Sequence, residues 1–256
     1  MRSLLLALLV AGPVSAQDLL ANPGFETGDF AGWTVTAGST YYGLPRLGVA
    51  PAGTTEQTYF GTGIVSVHGG NLAGFAVVNE DRWAILSQTV PVRPGTLYSA
   101  GFYTQYSPQV ASVGIAVAVD GVRIAEAQTA SASAFTLTSG LFCTGPGQTA
   151  ATVQFIVNGS GSGTILISFD DAFLVETSPQ LIIQAAIDYA DSLGVSSLNG
   201  VLSQAISDLD RGNLLAGSAL IDAAIYEIQG LVVSNRLSAA AGQVLIGELR
   251  TAEGCP

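Results

Sequence analysis

The chain reads as mainly β with an α appendage: an N-terminal antiparallel β-sandwich of jelly-roll type over residues 17–176, then a small helical bundle over residues 177–256. Two observations carry this. From Trp33 to Glu176 the sequence is rich in Val, Thr, Tyr, Phe, Gly and Ser, in short alternating runs between turn residues, which is the period of half-buried strands. After Glu176 the composition changes to Ala, Leu, Ile and Asp at helical spacing, so a boundary falls near Thr177-Ser178-Pro179. Residues 1–16 are set apart as a cleavable export signal, with Arg2, an apolar run from Leu4 to Val10, and Val14-Ser15-Ala16 before Gln17.

Strands are expected at Trp33 to Thr36, Ile64 to Val67, Ala84 to Val90, Thr96 to Tyr106, Val113 to Val119, Val122 to Ala127, Ala134 to Cys143, Thr149 to Val157 and Thr164 to Val175. Asp120-Gly121 fits a two-residue hairpin turn, because both central positions need positive φ. Asn158 to Gly163 reads as a loop, and it does not spell the G-x-S-x-G of a nucleophile elbow. Some nine short strands suit two packed sheets that bury one face of each strand.

In the helical part Ser178 serves as N-cap and Pro179 as the first helical residue. The first helix runs to Leu193 with Ile183, Ala186, Ile187 and Ala190 on one face, and Gly194 supplies its left-handed stop. A second aligns Leu198, Leu202, Ala205, Ile206 and Leu209 and ends at Arg211-Gly212-Asn213; a third uses Leu220, Ala224, Ile228 and Leu231. The fourth, Leu237 to Leu249, aligns Leu237, Ala241, Val244 and Leu245. All four are expected to be short, and short one-sided helices need a packing partner.

Eight arginines and no lysine face nineteen carboxylates, a net charge of −11. Such a chain repels the phosphate backbone of a nucleic acid. Past the signal, Gly, Asp or Glu interrupts every apolar stretch, so no membrane insertion is expected. No lipid-attachment cysteine follows the signal and no hydrophobic tail ends the chain, so release to an extracellular or periplasmic space is expected. Cys143 and Cys255 are the only cysteines. They either pair, which an oxidising compartment allows, or stay as two thiols; closing a loop of about 100 residues stabilises by roughly 4.7 kcal/mol in the chain-entropy treatment.

Three segments carry a resemblance: Asn22-Pro23-Gly24-Phe25-Glu26 with Trp33 after Gly32; Leu86-Ser87-Gln88-Thr89-Val90 with Pro94-Gly95-Thr96-Leu97-Tyr98; and Phe169-Asp170-Asp171-Ala172-Phe173-Leu174. Over roughly Leu20 to Glu176 the chain resembles the carbohydrate-binding-module jelly rolls of the galactose-binding-like superfamily. The resemblance implies sugar binding, although proteins of this shape also include stand-alone surface proteins. It further implies a structural calcium ion held by Glu26 and Asp170, with Asp171 as the adjacent substitute; calcium takes six to eight hard oxygen ligands. On the residues alone, the alternative is that Glu26 caps a turn and Asp170 faces solvent. Residues Ser197 to Leu249 resemble the helical FIMAH domain of exported bacterial proteins, through the Leu198 and Leu202 stripe, Gly212-Asn213, Ile221 to Gln229 and Leu245-Ile246. Ala224 departs from the large aromatic preferred there. This resemblance implies interaction or packing rather than chemistry.

Catalytic groups are scarce. His68 is the sole histidine and has no apparent base partner. Glu80-Asp81 and Asp170-Asp171 are adjacent acidic pairs, and neighbours in a strand point to opposite faces, so neither makes a facing acid and base. No phosphate loop or dinucleotide fingerprint occurs. The protein is therefore expected to be non-enzymatic. Sugar rings stack on aromatics, and the candidates are Tyr41, Tyr42, Tyr59, Phe60, Trp83, Tyr103 and Tyr106, while Trp33 is assigned to the core. Two readings follow. In one, the chain is an exported module that binds a glycan or cell-surface polymer. In the other, it is a structural or adhesive surface protein whose helices contact another protein. An exported hydrolase, which needs an acid pair across a pocket, ranks third.

Overall fold

The computed structural model describes residues 17–39, 46–51, 71–78, 82–107, 112–129, 132–160, 164–253 and 255. The expected export signal, the expected strand Ile64 to Val67, and His68, Glu80 and Asp81 lie outside these residues. The chain separates into a β unit, residues 17–94 and 98–175, and a helical unit built from residue 176 onward with residues 95–97.

Among the described residues ten strands make up the β unit: β1 (Thr34–Ser39), β2 (Arg46–Pro51), β3 (Asn71–Val78), β4 (Arg82–Pro91), β5 (Leu97–Ser107), β6 (Ser112–Val119), β7 (Val122–Thr129), β8 (Ala132–Cys143), β9 (Ala150–Ser160) and β10 (Thr164–Glu176). They form two five-stranded sheets, β1-β4-β9-β6-β7 and β2-β3-β10-β5-β8. This is the antiparallel sandwich that the alternation predicts. Asp120 and Gly121 turn β6 into β7 at φ 49 and 81, both in the left-handed region. Two strands, β2 and β3, escape the sequence reading because Pro51, Gly48 and Gly74 dilute the strand signal. A third difference is at Asn158 to Ser160, which extend β9 instead of opening a loop.

Alternation decides what is inside. Ala84, Leu86 and Val90 of β4, Tyr98, Ala100 and Phe102 of β5, Ile115, Val117 and Val119 of β6, and Val153, Phe155 and Val157 of β9 are buried in one continuous core. Trp33 belongs to it, tilted against Phe155 at 5.7 Å between centroids.

The segment before β1 is not a strand, yet it fastens both sheets. Gln88 of β4 accepts from the Ala21 N–H at 2.9 Å and donates to the Ala21 carbonyl at 2.7 Å, so its carboxamide stands in for a neighbouring strand. On the other side Asp18 Oδ1 accepts from the N–H groups of Leu20 and Leu174, both at 3.0 Å. The Leu19 N–H donates to the Leu174 carbonyl, and the Ala172 N–H to the Pro23 carbonyl. Burial pushes the Asp18 carboxyl up, its two N–H donors pull it back, and the Asp171 charge adds to the rise.

The Asn-Pro-Gly-Phe-Glu motif forms the corner of this segment. Asn22 sits at φ 50, where its side chain accepts from the Thr27 N–H at 3.2 Å and donates to the carbonyls of Asp29 at 3.0 Å and Ala31 at 3.3 Å. Trp33 Nε1 donates to the Asn22 carbonyl at 3.0 Å. Phe25, at φ 57, is a large side chain in a backbone region it disfavours. Its burial offsets the strain: the ring is 1% exposed, stacked on Trp33 and edge-on to Phe30 and Phe169. Phe25→Ala removes a buried ring and is expected to cost about 3–5 kcal/mol. At 2–4 °C per kcal/mol for a chain of this size, thermal denaturation should begin roughly 10 °C lower.

Among the described residues four helices form the helical unit: α1 (Pro179–Ser192), α2 (Asn199–Asp210), α3 (Leu214–Val233) and α4 (Ala239–Ala252), with a 3-10 turn at Ser196–Leu198. Ser178 Oγ accepts from the Leu181 N–H and Ser238 Oγ from the Ala241 N–H, so two of the four start on a serine cap. The Val195 N–H reaches back to the Ala190 carbonyl past Gly194 at φ 74, closing α1 as expected. Ile182, Ile183, Ala186, Ile187, Leu202, Ala205, Ile221, Ala224, Ile228, Leu245 and Leu249 are buried in the unit. The expectation of four short helices fails at α3, whose 20 residues exceed the others because it is apolar on two sides.

Glu248 lies on the α4 stripe of Ala241, Leu245 and Ala252, and its Oε2 is buried without a hydrogen-bond partner. Burial pushes its carboxyl up to about 7. A carboxyl raised on folding keeps its proton more tightly folded than unfolded. Its contribution is therefore complete below the ordinary value of 4.5 and is lost as pH rises through about 7. Glu248→Gln should flatten this decline and raise the melting temperature at pH 8 by several degrees, about 2–4 °C for each kcal/mol recovered, with little effect at pH 4.

Candidate functional site

Three arrangements of side chains bear on function. The first is a row across the outer face of the β1-β4-β9-β6-β7 sheet. Strand register places Gly38 of β1 opposite Trp83 of β4, Trp83 opposite Asn158 of β9, and Asn158 opposite Gly114 of β6. Residues 84, 86, 153, 155 and 157 point inward, so Trp83 and Asn158 point outward. The indole lies over Gly38, where a Cβ would come within 2.6 Å of Cζ2 and 2.9 Å of Nε1. The Asn158 carboxamide likewise covers Gly114, and a Cβ there would collide with Oδ1. Glycine inside a strand weakens it and marks a place where something approaches the backbone closely; here it is the ring and the amide.

Trp83 remains 38% exposed and Asn158 is exposed. Ile85 and Ile156, paired one row along, are half-buried beside them, with Thr36 exposed opposite Ile85. Among the described residues no side-chain hydrogen bond engages Trp83 Nε1 or the Asn158 carboxamide. An apolar ring thus adjoins an amide that can both donate and accept. An exposed salt bridge, Arg123 to Glu126 at 3.1 Å, lies on β7 of the same sheet.

Of the other aromatic candidates, Tyr103 is described with its side chain, and it does not join this row. Tyr103 of β5 is half-buried on the outer face of the second sheet, since Phe102 and Thr104 point inward. Trp83 and Tyr103 are therefore on opposite outsides of the sandwich. Tyr106 is in β5 three positions further on, and its side chain lies outside the described residues. Tyr41, Tyr42, Tyr59 and Phe60 lie outside the described residues. Sequence reasoning reached Trp83 but missed Asn158, assigned to a loop, and the two glycines; only the register of four strands brings them into line.

The second arrangement is the corner at Gly24. A Cβ on Gly24 would stand 3.3 Å from Asp171 Oδ1, 3.7 Å from Asp170 Oδ1 and 3.8 Å from Glu26 Cγ. The motif at the chain start and the acidic pair of β10 therefore meet. The alternative reading of Asp170 and the expected orientation of the acidic pair both need correction. Asp170 does not face solvent; it is fully buried, and its Oδ1 accepts from the Asp171 N–H at 2.9 Å. Nor do Asp170 and Asp171 point to opposite faces. Asp171 is at φ 44, and Phe169 and Ala172 are both core residues, so β10 carries one extra residue there. A bulge breaks the alternation and turns both carboxylates toward Gly24. Glu26 is exposed and Asp171 half-buried. Among the described residues no group of three or more His, Cys, Asp or Glu side chains is set to hold a metal. The hard oxygens here suit calcium in kind, and carbonyls would have to complete its shell.

The third is the helical unit. A cavity of about 290 Å³ is lined by Leu193, Gly194, Val195, Ser196, Ser197, Leu231 and Arg236. No carboxylate lines it, so it supplies no facing acid pair. Cys143, at the end of β8, and Cys255 are both disulfide-bonded, so the chain's two cysteines are oxidised.

No protein-family model matches this chain, and no curated protein matches it. Among solved structures it is similar to TmCBM61 in complex with β-1,4-galactotriose, at a TM-score of 0.43 and 20% identity over 63% of this chain and 99% of that one. It is also similar to the CBM22-1 xylan-binding domain of Paenibacillus barcinonensis Xyn10C, at 0.42 and 15% over 63% of this chain and 95% of that one. A further neighbour is a family 16 carbohydrate-binding module, at 0.38 and 16% over 62% of this chain and the whole of that one. At such scores the likeness is one of architecture alone.

Proposed function

We propose that this is an exported, non-catalytic carbohydrate-binding protein that takes sugar on the outer face of the β1-β4-β9-β6-β7 sheet, at Trp83 and Asn158. The observation that carries the reading is the row Gly38, Trp83, Asn158, Gly114. The C–H face of a pyranose packs on an indole, and its hydroxyls take up the hydrogen bonds of the Asn158 amide and the Trp83 N–H. The disulfide suits an oxidising compartment, consistent with export. Glycan-array binding followed by titration tests the reading. Trp83→Ala should lose roughly 10- to 100-fold in affinity, the scale of the 1.5–3 kcal/mol attached to burying a large apolar side chain, while circular dichroism stays unchanged. Retention of no glycan, or binding indifferent to the substitution, would sink it.

As part of the same proposal, calcium serves as a structural ion at the Gly24 corner, with Asp170 and Asp171 supplying carboxylate oxygens and backbone carbonyls completing the shell, while Glu26 adds its charge from the exposed rim. The convergence on a residue without a Cβ supports this. Calcium at 100 times its dissociation constant would contribute about 2.7 kcal/mol. Chelator should then lower the melting temperature by roughly 5–10 °C at 2–4 °C per kcal/mol. Added calcium should restore it, but not in Asp171→Asn; a chelator-insensitive melt rules the ion out.

A second reading, contact with another protein through the helices, is favoured by the exposed large apolar residues of α3, namely Leu214, Leu215, Tyr226 and Val233.

A further inference from the structure

Helix α3 has two apolar sides, and its own unit covers one. Ile221, Ala224, Ile225, Ile228 and Leu231 are buried. At 3.6 residues per turn the opposite side carries Leu215, Ala219, Asp222, Tyr226, Gln229 and Val233 in one stripe. Leu215 is 88% exposed, Tyr226 73% and Val233 83%, and the three residues between them are exposed as well. By length and composition alone the helix could cross a membrane, with a mean hydropathy of 1.3. One third of its most apolar stretch is buried.

The stripe is complementary to itself in one direction only. Laid antiparallel on a second α3, Leu215 meets Val233, Ala219 meets Gln229 beside Gly230, and Asp222 meets Tyr226. The one carboxylate then accepts from a phenol O–H, and the larger apolar side chains meet each other. In the parallel direction Asp222 would meet Asp222, a like-charge contact. The antiparallel direction also opposes the two helix dipoles.

We propose that the occupant of this face is a second copy of the chain, joined through α3 against α3 about a two-fold axis close to residue 224. Such a contact is isologous, each patch serving both copies. A 20-residue helix offers a stripe about 30 Å long and about 10 Å wide, so two such stripes bury roughly half of the ~1,200 Å² at which stable interfaces begin. The dimer is accordingly weak, and its formation is tied to concentration.

Charge modulates it. Within one chain Asp222 is hydrogen-bonded to Glu253, whose carboxyl is pushed up by burial first and by Asp222 next, with Arg250 opposing. Tyr226 of the second copy offers Asp222 a neutral donor in place of a like acid. Each copy carries a net charge of −11, so added salt screens the repulsion and tightens the pair.

Sedimentation equilibrium of the full chain tests this, from about 1 to 300 µM, a range that brackets weak association. A monomer–dimer equilibrium is expected that tightens with salt. Leu215→Lys and Val233→Glu, both at exposed positions, should each weaken it by about tenfold or more. Mixed in equal amounts they should recover a heterodimer, because the introduced lysine of one copy then faces the introduced glutamate of the other, while the native Val233 and Leu215 meet on the far side. A monomeric wild type throughout, variants that associate like wild type, or a mixture that stays monomeric would each overturn it. Glycan binding is read separately, and its failure leaves this equilibrium untouched.

Discussion

The constraint on which the β unit rests is the double attachment of the chain before β1. Asp18 binds toward β10 and Gln88 of β4 binds Ala21, so a segment without regular structure is hydrogen-bonded to both sheets at once. Two stacked sheets meet largely through apolar side chains, which set their spacing but tolerate sliding. A fixed polar bridge removes that freedom. Phe25 then fills the volume under the bridge, and its strained backbone is held because its ring contacts Trp33, Phe30 and Phe169 together.

From this bridge follow the two places where strand alternation is used or broken. The bulge in β10 lies where the strand turns from pairing β3 to accepting the N-terminal segment: Phe169 pairs with Ala73, and Ala172 bonds Pro23. An extra residue between them rotates two neighbouring carboxylates to one side, toward the glycine of the corner. In the first sheet the alternation is unbroken from β1 to β6. That regularity is what stacks Gly38, Trp83, Asn158 and Gly114 in one row. Glycine at the two flanking positions lets a large ring and an amide lie low over the sheet and still reach solvent.

The helical unit follows a different rule, in which one element serves two surfaces. A helix that is apolar on one side only is finished once that side is packed. α3 is not, since Leu215, Tyr226 and Val233 remain exposed after its core residues are buried. Glu248 shows the opposite case, a charged residue type placed on a core-facing stripe, where its proton becomes the substitute for a partner.

Much of this was legible in the linear chain. Period-2 runs located eight of the ten strands, Ser178 and Gly194 marked the ends of α1, and Asp120-Gly121 marked the hairpin, because each of these signals acts within a few residues. Three features were not legible: the partner of Trp83, the shared orientation of Asp170 and Asp171, and the uncovered side of α3. Register is set by which strands become neighbours, a bulge by what the strand pairs with on either side of it, and an exposed helix face by where the other three helices pack. Local order in a polypeptide is a matter of backbone sterics and side-chain period, whereas the meeting of residues 38, 83, 158 and 114 depends on contacts closed over more than a hundred positions, and no short stretch of sequence holds them.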